Sequence, residues 1–252
     1  MQEMISVELS EKLIALAQKY ESADFLKKDP SQFMHRYIAV REVEAVAFIA
    51  ANLAFGRREQ ILAHVEAILG AAGKSPVDWI LSQKYKDFFP ENEISFYRMY
   101  TNRDMRLFFD GLRLILEESE TIGEYFRKCH DNSDKIYLHQ IIASAFPTGC
   151  KLLPHSKDSA AKKVNMLLRW LVRTDSPVDL GLWTWFSKKN LLMPLDTHVM
   201  QQSNELGLIS SKSANLRTAV ALTKKVAEIF PDDPVKADFA LFGLGIDLQD
   251  VR

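Results

Sequence analysis

The sequence predicts an all-α fold, on three observations. Apolar residues recur at three- and four-residue spacing along most of the 252-residue chain. Ten Gly and nine Pro are too few for a turn-rich all-β fold of this length. No stretch alternates convincingly as a strand, and there is no internal repeat. Apolar residues make up 47%, enough for a buried core in one large domain or two lobes. The formal net charge of −1 excludes a polybasic protein but leaves room for a local basic face. Two cysteines, Cys129 and Cys150, cannot build a four-cysteine zinc or iron–sulfur site, and they point to a reducing compartment. The first residues, Met1 to Ser6, lack the order of a signal peptide, and no apolar run is long enough for a membrane span. A soluble, cytoplasmic protein is expected.

In chain order, residues 7–19 carry Leu9, Leu13, Leu16 and Ala17 on one helical face. Pro30 suits the first position of a short helix over 31–37. Residues 42–55 form a broad apolar stripe rich in alanine, ended by Gly56, and Arg57 starts another helix through Leu69. Ser75 caps 77–81. Aromatics crowd together from Phe88 to Tyr100, where short irregular helices are expected. Helical spacing returns over 102–119, 122–129 and 135–146. A long connection follows, and Ser159 or Asp158 can cap a helix from Ala160 to about Arg173. Gly181 to Ser187 suggests one helical turn, and residues 188–190 an exposed loop. A helix over 197–206 is ended by Gly207, another spans 215–230, and the last runs from Val235 to about Leu244, with Gly243 and Gly245 at its end.

The candidate chemistry centres on Pro194-Leu-Asp-Thr-His-Val199. Asp196 is placed to cap a helix, its carboxylate accepting first-turn N–H bonds at the positive end of the dipole. A capping carboxylate is also fixed in direction and kept ionised, as a catalytic acid must be. Lys162 shares a helix face with Arg169 and Arg173, at two and three turns, whereas Lys163 shares another with Leu167 and Trp170. Two such lysines ordinarily form solvated surface. The sharper reading is a nucleophilic amine beside a carboxylate, which requires the lysine to be neutral when it attacks. Asp238 and Phe242, one turn apart, lie on one face and suit either core packing or a pocket wall that stacks a planar ring. Trp183 and Trp185 offer the same choice. His198 has no partner histidines at ligand spacing, so no metal is expected. The fingerprints of serine hydrolases and nucleotide-binding proteins are absent.

Taken together, these residues resemble the helix-hairpin-helix superfamily of base-excision DNA glycosylases. There, a lysine on one helix and an aspartate in a segment like V-D-T-H-V face each other across a cleft. Pro194 to Val199 looks like that aspartate segment, and Lys162 to Trp170 is similar to the lysine helix of the archaeal 8-oxoguanine glycosylase branch. The superfamily's L-P-G-V-G-like turn before the lysine is replaced here by Phe146 to Ser159. More closely, the chain resembles an uncharacterised bacterial family of unknown function, through Phe48 to Arg58, Lys162 to Arg173, Val178 to Trp183 and Pro234 to Gly245.

The glycosylase resemblance implies a two-lobed helical fold with a central cleft, one lobe over 42–190 and the other from 1–41 plus 191–252. It implies removal of a flipped damaged base, an oxidised purine first, from double-stranded DNA without a cofactor, with AP lyase activity as an accompanying possibility. Lys162 and Asp196 would be catalytic, with Lys163 the other candidate nucleophile. Asp238, Phe242, Arg169 and Trp183 would contact the base. Asn52, read in the turn before Gly56, would enter the gap left in the duplex, and Arg57, Arg58, Lys163 and Lys188 would contact DNA. The alternative is a non-catalytic nucleic-acid-binding module on the same scaffold. Lesion identity, DNA versus RNA, and oligomeric state are not encoded in any motif found.

Overall fold

The computed structural model describes residues 4–250, and side chains as far as Gly245. Met1 to Glu3, part of the N-terminal stretch considered above, lie outside the described residues. The protein is predominantly helical, at 60% helix and 3% strand, which bears out the all-α expectation. In chain order the helices are α1 (Val7–Tyr20), α2 (Ala23–Leu26), α3 (Val40–Leu53), α4 (Arg58–Ala72), α5 (Pro76–Leu81) and α6 (Tyr85–Phe88). After the hairpin β1 (Ser95–Tyr97) and β2 (Tyr100–Thr101) come α7 (Asn102–Glu118), α8 (Ile122–Asp131), α9 (Leu138–Ser144), α10 (Lys162–Val172), α11 (Thr197–Glu205), α12 (Leu216–Val226) and α13 (Ala237–Asp250). Short 3₁₀ turns cover Pro30–Arg36, Lys188–Asn190 and Pro234–Lys236. No helix among the described residues is long and apolar enough to cross a membrane.

The chain divides into two compact units, residues 28–155 and residues 1–27 with 156–252. The glycosylase resemblance implies lobes at 42–190 and at 1–41 plus 191–252. The observed division assigns α10 to the same unit as α11 to α13.

In the unit 28–155, α3 is buried from Val43 through Leu53. Its alanines allow close approach, and Phe48 stacks on Phe126 with centroids 5.9 Å apart. Trp79, Tyr85, Phe89 and Phe109 form a contiguous aromatic core beside it. The crowded aromatics around Phe96 belong to the β1–β2 hairpin rather than to irregular helices. Arg98, at φ 53°, makes its reversal. Helix α7 opens with a capping box between Thr101 and Asp104.

Glu44 is 1% exposed, and its carboxylate accepts the first N–H groups of α8, from Ile122 at 2.7 Å and Gly123 at 3.1 Å. Those donors have no intrahelical acceptor. Glu44→Ala should therefore cost about 2–4 kcal/mol, the penalty for two buried amides losing a charged acceptor. A urea midpoint shift equivalent to less than 1 kcal/mol would contradict this account.

In the other unit, α13 packs along α1 and α11. Gly243 and Gly245 lie inside α13, not at its end. A Cβ at Gly243 would come within 2.2 Å of the Tyr20 ring, and one at Gly245 within 2.7 Å of the His198 Cβ. These glycines are slots for two rings, which explains why they interrupt an apolar helix without ending it.

Helix α10 begins at Lys162, two residues later than expected, and neither Ser159 nor Asp158 caps it. Ala161 occupies that position in the left-handed region at φ 46°. Ser159 instead bridges to Asn215, and the Asp158 carbonyl accepts the Leu216 N–H at 2.8 Å, so both residues serve the start of α12. The Gly181–Ser187 stretch is not helical. It is held to α10 by bonds from the Leu180 and Trp183 N–H groups to the Trp170 and Leu171 carbonyls, both 2.7 Å.

Candidate functional site

Asp196 is held first by what precedes it. Leu191, Leu192, Met193 and Leu195 are buried, and the Met193 N–H donates to the Thr223 hydroxyl at 3.0 Å. The buried run fixes where the chain emerges. Asp196 then caps α11, its carboxylate accepting the Val199 N–H at 2.8 Å. The structural reading of Asp196 is thus correct, and the carboxylate is half-buried rather than solvated.

Lys162 and Lys163 open α10 and are both half-buried. From Val164 to Val172 every residue of the helix is buried. The face carrying Lys162, Arg169 and Arg173 therefore runs inward after its first turn. Arg169 is 3% exposed and Arg173 1%.

A network of buried acids receives these arginines. The Arg169 guanidinium bonds Asp238 and reaches Asp179 at 3.3 Å, and it lies over the Phe239 ring at 4.2 Å. Arg173 bonds Asp179 and, at 2.8 Å, Asp233, and it forms an ion pair with Glu21 at 2.8 Å. Lys236 stands 3.6 Å from Glu21. Two guanidinium groups at these depths demand such compensation, since a buried unpaired charge costs several kcal/mol. Arg169 is consequently spent inside the protein, which corrects its assignment as a base contact.

Asp238 sits at the start of α13, 6% exposed, with its carboxyl pushed up to about 6. Burial is the main cause, and the negative charge of Asp196 adds to it. Arg169, and more weakly Lys162, pull the other way. Through Asp238 and Arg169, α13 is bonded to α10.

Phe242, half-buried one turn beyond Asp238, meets Phe25 at 6.0 Å and the His198 ring at 5.6 Å, both edge to face. His198 thereby joins Asp196 to the Phe242 side of the site, a role that its isolated D-x-H spacing did not reveal. Trp183 is 1% exposed and stacks on Trp185 at 5.5 Å. It is a core residue with no face left for a base, which corrects the second base-contact assignment. Lys188 is 3.9 Å from Asp175, in the turn where an open loop was expected.

In the unit 28–155, Asn52 lies within α3 rather than in a turn. It is wholly buried and donates to the Phe48 carbonyl at 2.9 Å. Entry into a duplex would require the end of α3 to unwind, so this role is withdrawn. Arg57 caps α4 by position, without a side-chain bond, and Arg58 is its first residue.

Sequence reasoning missed Glu21, Asp179 and Asp233. The available signal was two arginines four residues apart on a helix whose other positions are nearly all apolar. Arginines so placed are inside, and they imply acids elsewhere in the chain.

The fold and site define a predominantly helical protein with a buried arginine–carboxylate network, which lies on the helix that Lys162 opens and includes Asp238 of α13. A family model described as "Protein of unknown function (DUF2400)" matches residues 29–247, and the chain belongs to that family. No curated protein and no solved structure matches the chain.

Proposed function

We propose that the protein is a DNA base-excision glycosylase acting on an oxidised purine, with Lys162 as nucleophile and Asp196 as its charged partner. The observation that carries this reading is the packing of α13, whose Asp238 bonds Arg169 on the helix that Lys162 opens and whose Phe242 meets His198, two residues past Asp196. The two groups required by the chemistry are separated in sequence, yet α13 touches the helix of each. The likeness to glycosylases forms part of the same proposal.

The damaged nucleotide is flipped out, because its glycosidic bond is inaccessible in the stack. The amine of Lys162 attacks C1′ of the sugar, the C1′–N bond breaks, and its electron pair leaves with the base, which takes up a proton. Asp196 stabilises the positive charge that develops on the sugar and accepts a proton from the amine. Ring opening then leaves a Schiff base. Phe242 presents its ring to the base and Asp238 contacts the base edge, while Arg169 orients Asp238.

A borohydride trap on duplex containing 8-oxoguanine should give a covalent adduct with wild type and with Lys163→Ala, but none with Lys162→Ala. Asp196→Asn should lower turnover by about 100-fold or more, in the range of a lost acid–base group. Its stability should change by only a few tenths of a kcal/mol, since Asn caps helices about as well as Asp. No adduct from wild type, or an undiminished one from Lys162→Ala, overturns the assignment.

One observation favours a non-catalytic DNA-binding module instead: Asp238 and Arg169 are bonded to each other in a buried pair. Tight binding to an abasic-site analogue without cleavage of any lesion would select that reading.

A further inference from the structure

The unit 28–155 carries three arginines at one place with no acid assigned to them. The Phe55-Gly-Arg-Arg58 turn and the β1–β2 hairpin are joined by the Tyr97 hydroxyl, which donates to the Phe55 carbonyl. The Tyr97 and Phe55 rings also meet edge to face at 5.1 Å. Gly56, at φ 99°, lets the chain reverse there, and the end of the Arg98 side chain lies against it. The Arg98 guanidinium lies 5.4 Å from the Phe55 ring centroid. Arg57, Arg58 and Arg98 are therefore neighbours fixed by packing rather than by chance of sequence.

Among the described residues none of the three forms an ion pair, although elsewhere in this unit Arg36, Arg103, Arg106 and Arg113 each do. The nearby hairpin acids Glu93 and Glu91 are the partners of Arg103 and Arg106. Glu59 is the acid left in the first turn of α4, so the patch keeps an excess of positive charge. Beside Arg98, at the hairpin tip, Met99 is 62% exposed. An apolar side chain held in water between strands, next to unneutralised arginines, has the chemistry of a residue that enters a base step while its neighbours hold phosphates.

We propose that this hairpin tip and the Gly56-Arg57-Arg58 turn form a duplex-DNA-binding surface, with Arg57, Arg58 and Arg98 on backbone phosphates and Met99 inserted against the bases. The proposal rests on DNA being the substrate, but not on Lys162 chemistry. It also assigns to Met99 the duplex-entering role that buried Asn52 cannot fill.

The test uses the full chain and a duplex with a tetrahydrofuran abasic analogue flanked by 2-aminopurine. Wild type should bind and raise the 2-aminopurine fluorescence through unstacking. Met99→Ala should bind within about threefold of wild type and lose most of that rise. The triple change Arg57→Gln, Arg58→Gln and Arg98→Gln should weaken binding more than tenfold. It should also flatten the slope of log K against log salt by about 2–3, at roughly 0.9 per phosphate contact. All four changes lie on exposed or half-exposed side chains, and urea midpoints will show that the fold is retained. A triple variant with wild-type affinity and salt slope, or a Met99→Ala complex as bright as wild type, overturns the proposal. If these variants behave as expected while no borohydride adduct forms, the glycosylase reading fails alone. If the adduct forms and the variants match wild type, this surface fails alone.

Discussion

Arg173→Met should lower the stability of the protein by about 3–5 kcal/mol, the usual cost of removing one partner from a buried ion pair. Arg173 is 1% exposed and is the cation shared by Glu21 at the end of α1, Asp179, and Asp233 before α13. Its guanidinium also stands 5.4 Å from the Phe239 ring centroid. Met conserves much of the aliphatic stem, so lost packing contributes little and the uncompensated carboxylates dominate. Against a total stability of about 5–15 kcal/mol for a folded protein, that loss is a large fraction. Urea unfolding of wild type and variant checks it. If the variant loses less than about 1 kcal/mol, the network does not hold α1 and α13 together as described. Adding Asp233→Asn to Arg173→Met should recover part of the loss, because one stranded acid is then neutral.

The second large effect is a pH dependence carried by Asp238. Its carboxyl is raised from an ordinary 3.8 to about 6, so the folded protein holds this proton more tightly than the unfolded chain does. The stabilisation is therefore complete below pH 3.8, falls as pH rises, and is gone once pH passes about 6. A two-unit shift corresponds to roughly 3 kcal/mol. Asp179, also buried, is shifted in the same direction by desolvation against the pull of Arg169 and Arg173. Acids that are stabilised when ionised give the opposite slope, so the informative quantity is the difference between wild type and Asp238→Asn. Near pH 4 the two should be about equally stable. Above pH 7 the variant should be the more stable, by up to about 3 kcal/mol. Parallel stability–pH curves would show that the Asp238 carboxyl titrates alike in the folded and unfolded chain, against this expectation.

The same residues show how much could be read from the sequence. Helical spacing located α3, α4, α7 and α10 to within a few residues, because burial on one face leaves a periodic trace in the chain. Capping chemistry identified Asp196, because a helix start needs an acceptor for its first N–H groups and Asp is a common choice. The family of unknown function was legible too, in stretches from Phe48 to Arg58 and from Pro234 to Gly245 that fall within its matched span.

Other features depended on packing. Periodicity placed Lys162, Arg169 and Arg173 on one face but could not tell whether that face met water or acids distant in sequence. The fold brought Glu21, Asp179, Asp233 and Asp238 to it, placing Arg169 and Arg173 in an internal ion network. Asn52 could be read as a turn residue until α3 was seen to continue past it, buried on all sides. Gly243 and Gly245 could be read as a helix end until Tyr20 and His198 were found seated on them. By itself the sequence determined the helices, the aspartate cap and the residue types available for chemistry, since those depend on local hydrogen bonding and side-chain periodicity. Only the tertiary structure decided which charges face one another, because desolvation and pairing depend on what packs across from a side chain and leave no local pattern in the chain.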